Sequence, residues 1–376
     1  MGCWSGGGVA GGGMLPAAMA MLVYVGTYTG PGRGEGIYVY RLDPATGALA
    51  HVQTVSGLNS PTFLALHPRL PFLYAVERQM AGGEANVGAV AALAIDPGSG
   101  ELTLVNRQAS GGVSPCYVSV HPGGGQVFVA NYGSGHVASL PLEGDGRLGA
   151  AASVFHHQGS GPDPKRQQGP HAHCIAPDPA GGYALACDLG IDKVMVYRAA
   201  TADGGMVPND PPHGALPPGA GPRHLAFHPS GRYVYVINEL DSTLSAFAYD
   251  AGRGALELMQ TVTTLPAGFS GTNHPAQVIV HPSGRFVYGS NRGHDSIAIF
   301  AVDATTGQVT AVGHESTQGR NPRNFNVDPS GTLLLAANQD TDNVVAFRID
   351  AAAGTLTPTG RSTTTPAPVC VVFRST

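Results

Sequence analysis

Six times along this chain an apolar run ends in His-Pro or Asp-Pro, crosses a short turn, and is followed by a second apolar run that closes on Asn, Asp or Glu. The anchors fall at His67, His121, Asp178, His228, His281 and Asp328, with spacings of 54, 57, 50, 53 and 47. Short apolar strands repeating at about this period are the signature of propeller blades with four strands each. The unit is plainest over residues 222–238; its relatives cover 61–77, 115–131, 275–291 and 322–338, with a looser copy at 172–188. In the plainest copy, residues 225–227 read as the innermost strand, 233–237 as the second and 243–249 as the third. An outer strand follows a Gly-x-apolar turn at Gly47, Gly100, Gly146, Gly254, Gly307 and Gly354, and more weakly near Gly205.

That makes seven outer-strand signals for six anchors. Residues 368–373 supply the missing inner strand, and residues 22–27 match a second strand. The expected fold is therefore all-β: a seven-bladed β-propeller with four antiparallel strands per blade. Its last blade is closed by the C-terminal strand pairing with N-terminal strands, which removes exposed sheet edges. Composition agrees: 54 Gly, 30 Pro and only 12% charged residues describe a chain rich in turn formers and poor in helix formers.

One domain is expected over residues 21–376, preceded by a Gly/Ala/Met tract, 1–20, expected to be disordered or to lie before a later start at Met14, Met19 or Met21. The tract has no Lys or Arg, so no secretory signal is read and a cytoplasmic location is expected. No window of 18 apolar residues exists, so no membrane span is expected. A net charge of -5, with only Lys165 and Lys193 beside 18 arginines, forms no basic stripe for nucleic acid. Five cysteines without a CxxC pair argue against a disulfide framework or a zinc knuckle. The expected partner is a small molecule, bound by a monomer.

In an antiparallel meander the starts of inner strands and the ends of second strands share one face beside the axis. The His-Pro and Asp-Pro anchors lie on the opposite face and read as turn and packing residues. One position per blade at the inner-strand start gives Thr62, Cys116, His173, Arg223, Ala276, Arg323 and Val369. The position just past each second strand gives Arg78, Tyr132, Leu189, Glu239, Arg292, Gln339 and Tyr28. A structural ring would be uniformly small or apolar. Instead His173, Arg223, Glu239, Arg292 and Arg323 gather on successive blades as a cationic, proton-handling patch. Asn131, Asn238, Asn291 and Asn338, which end second strands, read as turn devices tolerant of left-handed backbone.

Long links on the same face run over 155–170, with His156, His157, Lys165 and Arg166, over 206–222, and over 265–275 with His274. Such loops on a rigid scaffold commonly carry binding groups. No G-x-S-x-G elbow is present, and the Gly30 to Gly36 stretch lies between strands, so it is a hairpin loop rather than a phosphate cradle. His171-x-His173 has the spacing of a metal pair but no acidic partners, and no metal or other cofactor is expected.

The repeats resemble a known family, as do Val23-Tyr24-Val25-Gly26-Thr27-Tyr28-Thr29, Pro170-His171-Ala172-His173, Gly221-Pro222-Arg223-His224, Val236-Ile237-Asn238-Glu239 and Ser290-Asn291-Arg292-Gly293. The sequence is similar, over about residues 22–374, to the seven-bladed lactonases. These include propeller-type bacterial 6-phosphogluconolactonases and the fungal carboxy-cis,cis-muconate lactonizing enzyme. The resemblance implies metal-independent hydrolysis of an anionic sugar lactone, 6-phosphogluconolactone first. It carries the catalytic roles onto His173 or His171, Glu239, Arg223 and Arg292. His171, Arg323, His274, Arg78, Tyr132 and Gln339 are the expected substrate-binding residues. Either His173 or Glu239 is chemically able to deprotonate water, and the arginines to hold an oxyanion or a substrate anion. Three alternatives stay open: a Ca²⁺-dependent sugar lactonase using Glu239 and the Asn ring, a muconate-type lactonizing enzyme, and a non-catalytic interaction platform.

Overall fold

The computed structural model describes residues 21–80, 87–199 and 203–375, so the tract 1–20 lies outside the described residues. Among those residues there is no helix, and 28 strands form seven four-stranded antiparallel sheets. We number the blades from the closing one. Blade 1 joins Pro368–Ser375 to Met21–Thr27, Gly36–Leu42 and Leu49–Ser56. Its register sets Tyr24 opposite Val372 and Val23 opposite Phe373. Blades 2 to 7 follow in chain order over 64–109, 115–156, 172–215, 222–263, 274–316 and 322–364, and inner strands touch around the whole ring.

Second strands such as Tyr233–Asn238 and Leu333–Asn338 are buried at every position. Each is covered on both faces by neighbouring blades, so its sequence reads as a continuous apolar run rather than an alternating one. Outer strands such as Leu49–Ser56 meet solvent and are half-buried. The core is accordingly a set of wedges between blades, for example Phe286, Tyr288, Ile297, Phe325, Leu334 and Phe347 between blades 6 and 7.

Two sets of hydrogen bonds hold consecutive blades in register. The buried hydroxyls of Tyr24, Tyr74, Tyr235 and Tyr288 donate to the carbonyls of Gly100, Gly146, Gly307 and Gly354 in the next blade, at 3.0, 2.9, 2.9 and 2.8 Å. These glycines have φ of 83°, 89°, 71° and 73°, a left-handed conformation that a Cβ would strain. On the same face, Nε2 of His67, His121, His228 and His281 donates to the carbonyls of Gly124, Gly181, Gly284 and Gly331 of the following blade. Each Nδ1 accepts an amide of its own turn. The four histidine anchors are thus inter-blade staples.

Two expectations are corrected. Most of 206–222 is the outer strand Val207–Ala215 of blade 4, not a loop. The Asn ring works by side-chain clasps, and none of its members has a positive φ. Asn131, Asn291 and Asn338 donate to the carbonyls of Ser110, Thr264 and Thr317, tying each second strand to the end of the preceding blade's outer strand.

Deleting residues 368–376 is expected to abolish the cooperative native transition, because it unpairs an inner strand and opens the ring. A thermal melt checks this, and an unchanged Tm would contradict closure by both termini.

Candidate active site

Five inner strands carry the same local irregularity near their first residue. In blade 4, Ala172 pairs with Asp188 and Cys174 with Cys187, so His173 is an extra residue between them. The equivalent extra residues are Cys116, Arg223, Arg323 and, in the closing blade, Val369. A bulge leaves its residue out of the ladder and re-aims the side chain, here toward the axis. This converts a repeat position into a ring of convergent side chains.

Cys116, His173 and Arg323, together with several residues just past the second strands, line a cavity of about 370 Å³ at one mouth of the axis. The size is ordinary for a small-molecule site. Its lining includes Tyr28, Arg78, Tyr132, His173, Glu239, His274, Arg292 and Arg323. Beneath it lies a narrow recess walled by Cys116, His173, Arg223, His224 and Arg323.

Glu239, only 5% exposed, is the organising group. Its Oε2 accepts Arg223 Nε at 2.9 Å and Arg292 Nη2 at 2.7 Å, and its Oε1 accepts Arg166 Nη2 at 2.6 Å. Burial alone would raise its pKa, but Arg292, Arg223 and the Arg166 hydrogen bond together hold it well below the usual carboxylate range. Arg292 is fixed further by donating Nε to the His274 carbonyl at 2.8 Å. Arg223 donates Nη1 to the Ala276 carbonyl at 2.6 Å.

His173 is buried among cations. Desolvation first, then the charge of Arg223, press its pKa well below the ordinary imidazole value, so it is neutral at physiological pH. Its Nδ1 lies 3.7 Å from Cys116 Sγ, and Nε2 has no partner among the described residues. Burial pushes the Cys116 thiol up to about 12, so that group is not a thiolate nucleophile. Below, the His224 ring meets His173 edge-on at 5.2 Å, with His224 Nε2 accepting from Arg223 Nη1 at 3.2 Å and Nδ1 donating to Gln277.

Of the expected site residues, His173, Glu239, Arg292, Arg323, Arg78, Tyr132 and His274 face the cavity, and Arg223 the recess. His171 does not line it: its ring stacks behind Tyr132 at 4.5 Å and its Nδ1 donates to the Tyr132 carbonyl at 2.9 Å. Gln339 is also left out, donating Nε2 to Asp340 Oδ1 at 3.0 Å. Among the charged residues on the long links, Arg166 was not singled out, yet it reaches both Glu239 and the Tyr132 hydroxyl. His157 is instead a buried support, bonded to Asp188 Oδ2 at 2.6 Å and to the Tyr197 hydroxyl at 2.8 Å.

Comparison with known proteins places this geometry. The family model "Lactonase, 7-bladed beta-propeller" matches residues 22–373. A 6-phosphogluconolactonase of Bacillus subtilis (strain 168) is 41% identical over 302 residues, 80% of this chain and 83% of that protein. A 6-phosphogluconolactonase of Formosa agariphila is 32% identical, covering 81% and 85%. The solved periplasmic gluconolactonase of Pseudomonas aeruginosa superposes with a TM-score of 0.87 at 36% identity, covering 94% of this chain and 99% of that one. That neighbour is periplasmic, so the fold does not fix the compartment; no helix among the described residues is long and apolar enough to cross a membrane. The chain belongs to the seven-bladed β-propeller lactonase family and is a lactonase.

Proposed function

We propose that the enzyme hydrolyses 6-phosphogluconolactone to 6-phosphogluconate at the axial cavity, with His173 as general base. One observation carries the reading: a single carboxylate, bound by three guanidiniums, shares the cavity with a neutral histidine and with Arg78 and Arg323, which form no ion pair among the described residues. Such a site favours an anionic substrate and leaves one group free to take a proton.

His173 Nε2 takes a proton from water as the water oxygen bonds to the lactone carbonyl carbon. The carbonyl electron pair moves onto its oxygen, and this oxyanion is held by Arg292, whose Nη1 has no acceptor among the described residues. Collapse of the tetrahedral intermediate breaks the bond to the ring oxygen, which receives the proton from His173 and leaves as the hydroxyl of the open acid. Glu239 fixes the arginines; its three guanidinium partners and low basicity suit it poorly to proton abstraction.

The Ca²⁺ alternative loses support, because both oxygens of Glu239 already accept guanidinium donors. Purified enzyme is expected to accelerate hydrolysis of 6-phosphogluconolactone over its spontaneous rate, equally with and without EDTA. No acceleration on any sugar lactone would overturn the lactonase reading, and loss of activity on chelation would overturn the metal-independent one.

A further inference from the structure

The arginines bound to Glu239 are not the only cations at this mouth. Tyr28, just past the second strand of blade 1, has three guanidiniums around its ring: Arg33 at 5.5 Å, Arg323 at 5.6 Å and Arg78 at 6.0 Å from the centroid. They come from separate places, Arg33 from the hairpin loop of blade 1, Arg78 from the end of the second strand of blade 2, and Arg323 from the inner-strand bulge of blade 7. The loop is folded back over the tyrosine, with Gly34 N donating to the Tyr28 carbonyl at 2.9 Å. None of the three guanidiniums forms an ion pair among the described residues, and the Tyr28 hydroxyl has no hydrogen-bond partner there.

The ring faces attract each cation, but three like charges around one ring repel one another. An arrangement of this kind is balanced by a bound anion. Planar guanidiniums suit phosphate oxygens in particular, since each presents parallel donors. Arg78, Arg323 and Tyr28 line the cavity itself, while Arg33 closes the group from outside. Hairpin glycines make no phosphate cradle here; the loop contributes a side chain.

Position in the ring strengthens the case. Blades 7, 1 and 2 carry this cluster, whereas His173 and Glu239 stand on blades 4 and 5, across the axis. In a 6-phosphorylated 1,5-lactone the reacting carbonyl carbon and the carbon bearing the phosphate arm flank the ring oxygen, so a single cavity lined by both groups engages both. From this, and resting on the lactonase reading above, we infer that Arg33, Arg78 and Arg323 around Tyr28 form a phosphomonoester subsite that selects phosphorylated over unphosphorylated lactones. A substrate whose phosphate is gripped at blade 1 spans the cavity with its carbonyl toward His173.

The test uses Arg33→Gln and Arg78→Gln, singly and together, because both residues are exposed and neither side chain forms an ion pair among the described residues. Two quantities are measured. The first is kcat/KM on 6-phosphogluconolactone divided by that on glucono-1,5-lactone. The second is calorimetric binding of the products 6-phosphogluconate and gluconate. The double variant is expected to lower the kinetic ratio at least tenfold and to weaken 6-phosphogluconate binding by a similar factor, with raised salt weakening wild-type binding in the same direction. A wild-type ratio retained in the double variant, with 6-phosphogluconate bound as before, would overturn the subsite. Wild-type enzyme inactive on both lactones would overturn the lactonase reading, and binding of 6-phosphogluconate that still depends on these arginines would then leave the subsite standing.

Discussion

Glu239→Ala is expected to be the most damaging single substitution in the protein, costing about 3–5 kcal/mol of stability together with nearly all activity. The carboxylate is buried and its two oxygens accept from Arg166, Arg223 and Arg292. Without it, Arg223 is left as an uncompensated cation at 2% exposure, and Arg292 loses the contact that aims it. Thermal denaturation of the purified variant reads the stability term. The pH dependence has a definite sign. Because the folded pKa lies below the unfolded value of 4.5, the stabilisation is complete above that value and disappears as the pH falls through the folded pKa. The gap in Tm between wild type and variant should therefore be constant near neutrality and close only in acid. Glu239→Gln separates structure from chemistry. A general base would lose kcat without loss of stability, whereas a charge clamp loses both. A Glu239→Ala protein with wild-type Tm would show that the three ion pairs contribute nothing to the fold.

How far the site was legible in the sequence depended on whether a residue occupied a repeat position. Thr62, Cys116, His173, Arg223 and Arg323 were found by aligning inner-strand starts, since each blade presents the same position to the axis. The closing strand was legible for the same reason, as an inner strand without its second strand. What periodicity does not encode is the bulge. One extra residue before Cys174 decides that His173 and not His171 faces the cavity, and a strict alternation of two cannot register it. Gln339 occupies an aligned position, but its carboxamide donates to the neighbouring Asp340 rather than reaching the axis. Arg166 sits on a link with no counterpart in other blades, so nothing in the repeat marked it, and its role rests on reaching across from blade 3 to blade 5. His224 and Gln277 escaped because they lie next to the ring position and beneath the cavity floor, where only packing brings them against Arg223.

The assignment of His173 as general base makes the central claim on the chemistry. His173→Ala should lower kcat by about 10²–10⁴ while leaving KM for 6-phosphogluconolactone nearly unchanged, because positioned proton transfer contributes about that factor and the arginines that grip the substrate are untouched. Since desolvation and Arg223 keep this imidazole neutral, the acid limb of the wild-type kcat/KM profile should lie below pH 6.5. The decisive measurement is the initial rate of 6-phosphogluconolactone hydrolysis by His173→Ala at neutral pH, with spontaneous hydrolysis subtracted. A rate at least about a hundredfold below wild type, with a folded protein and an unchanged KM, is the predicted result. Wild-type kcat in that variant would contradict the assignment and remove His173 from the reaction.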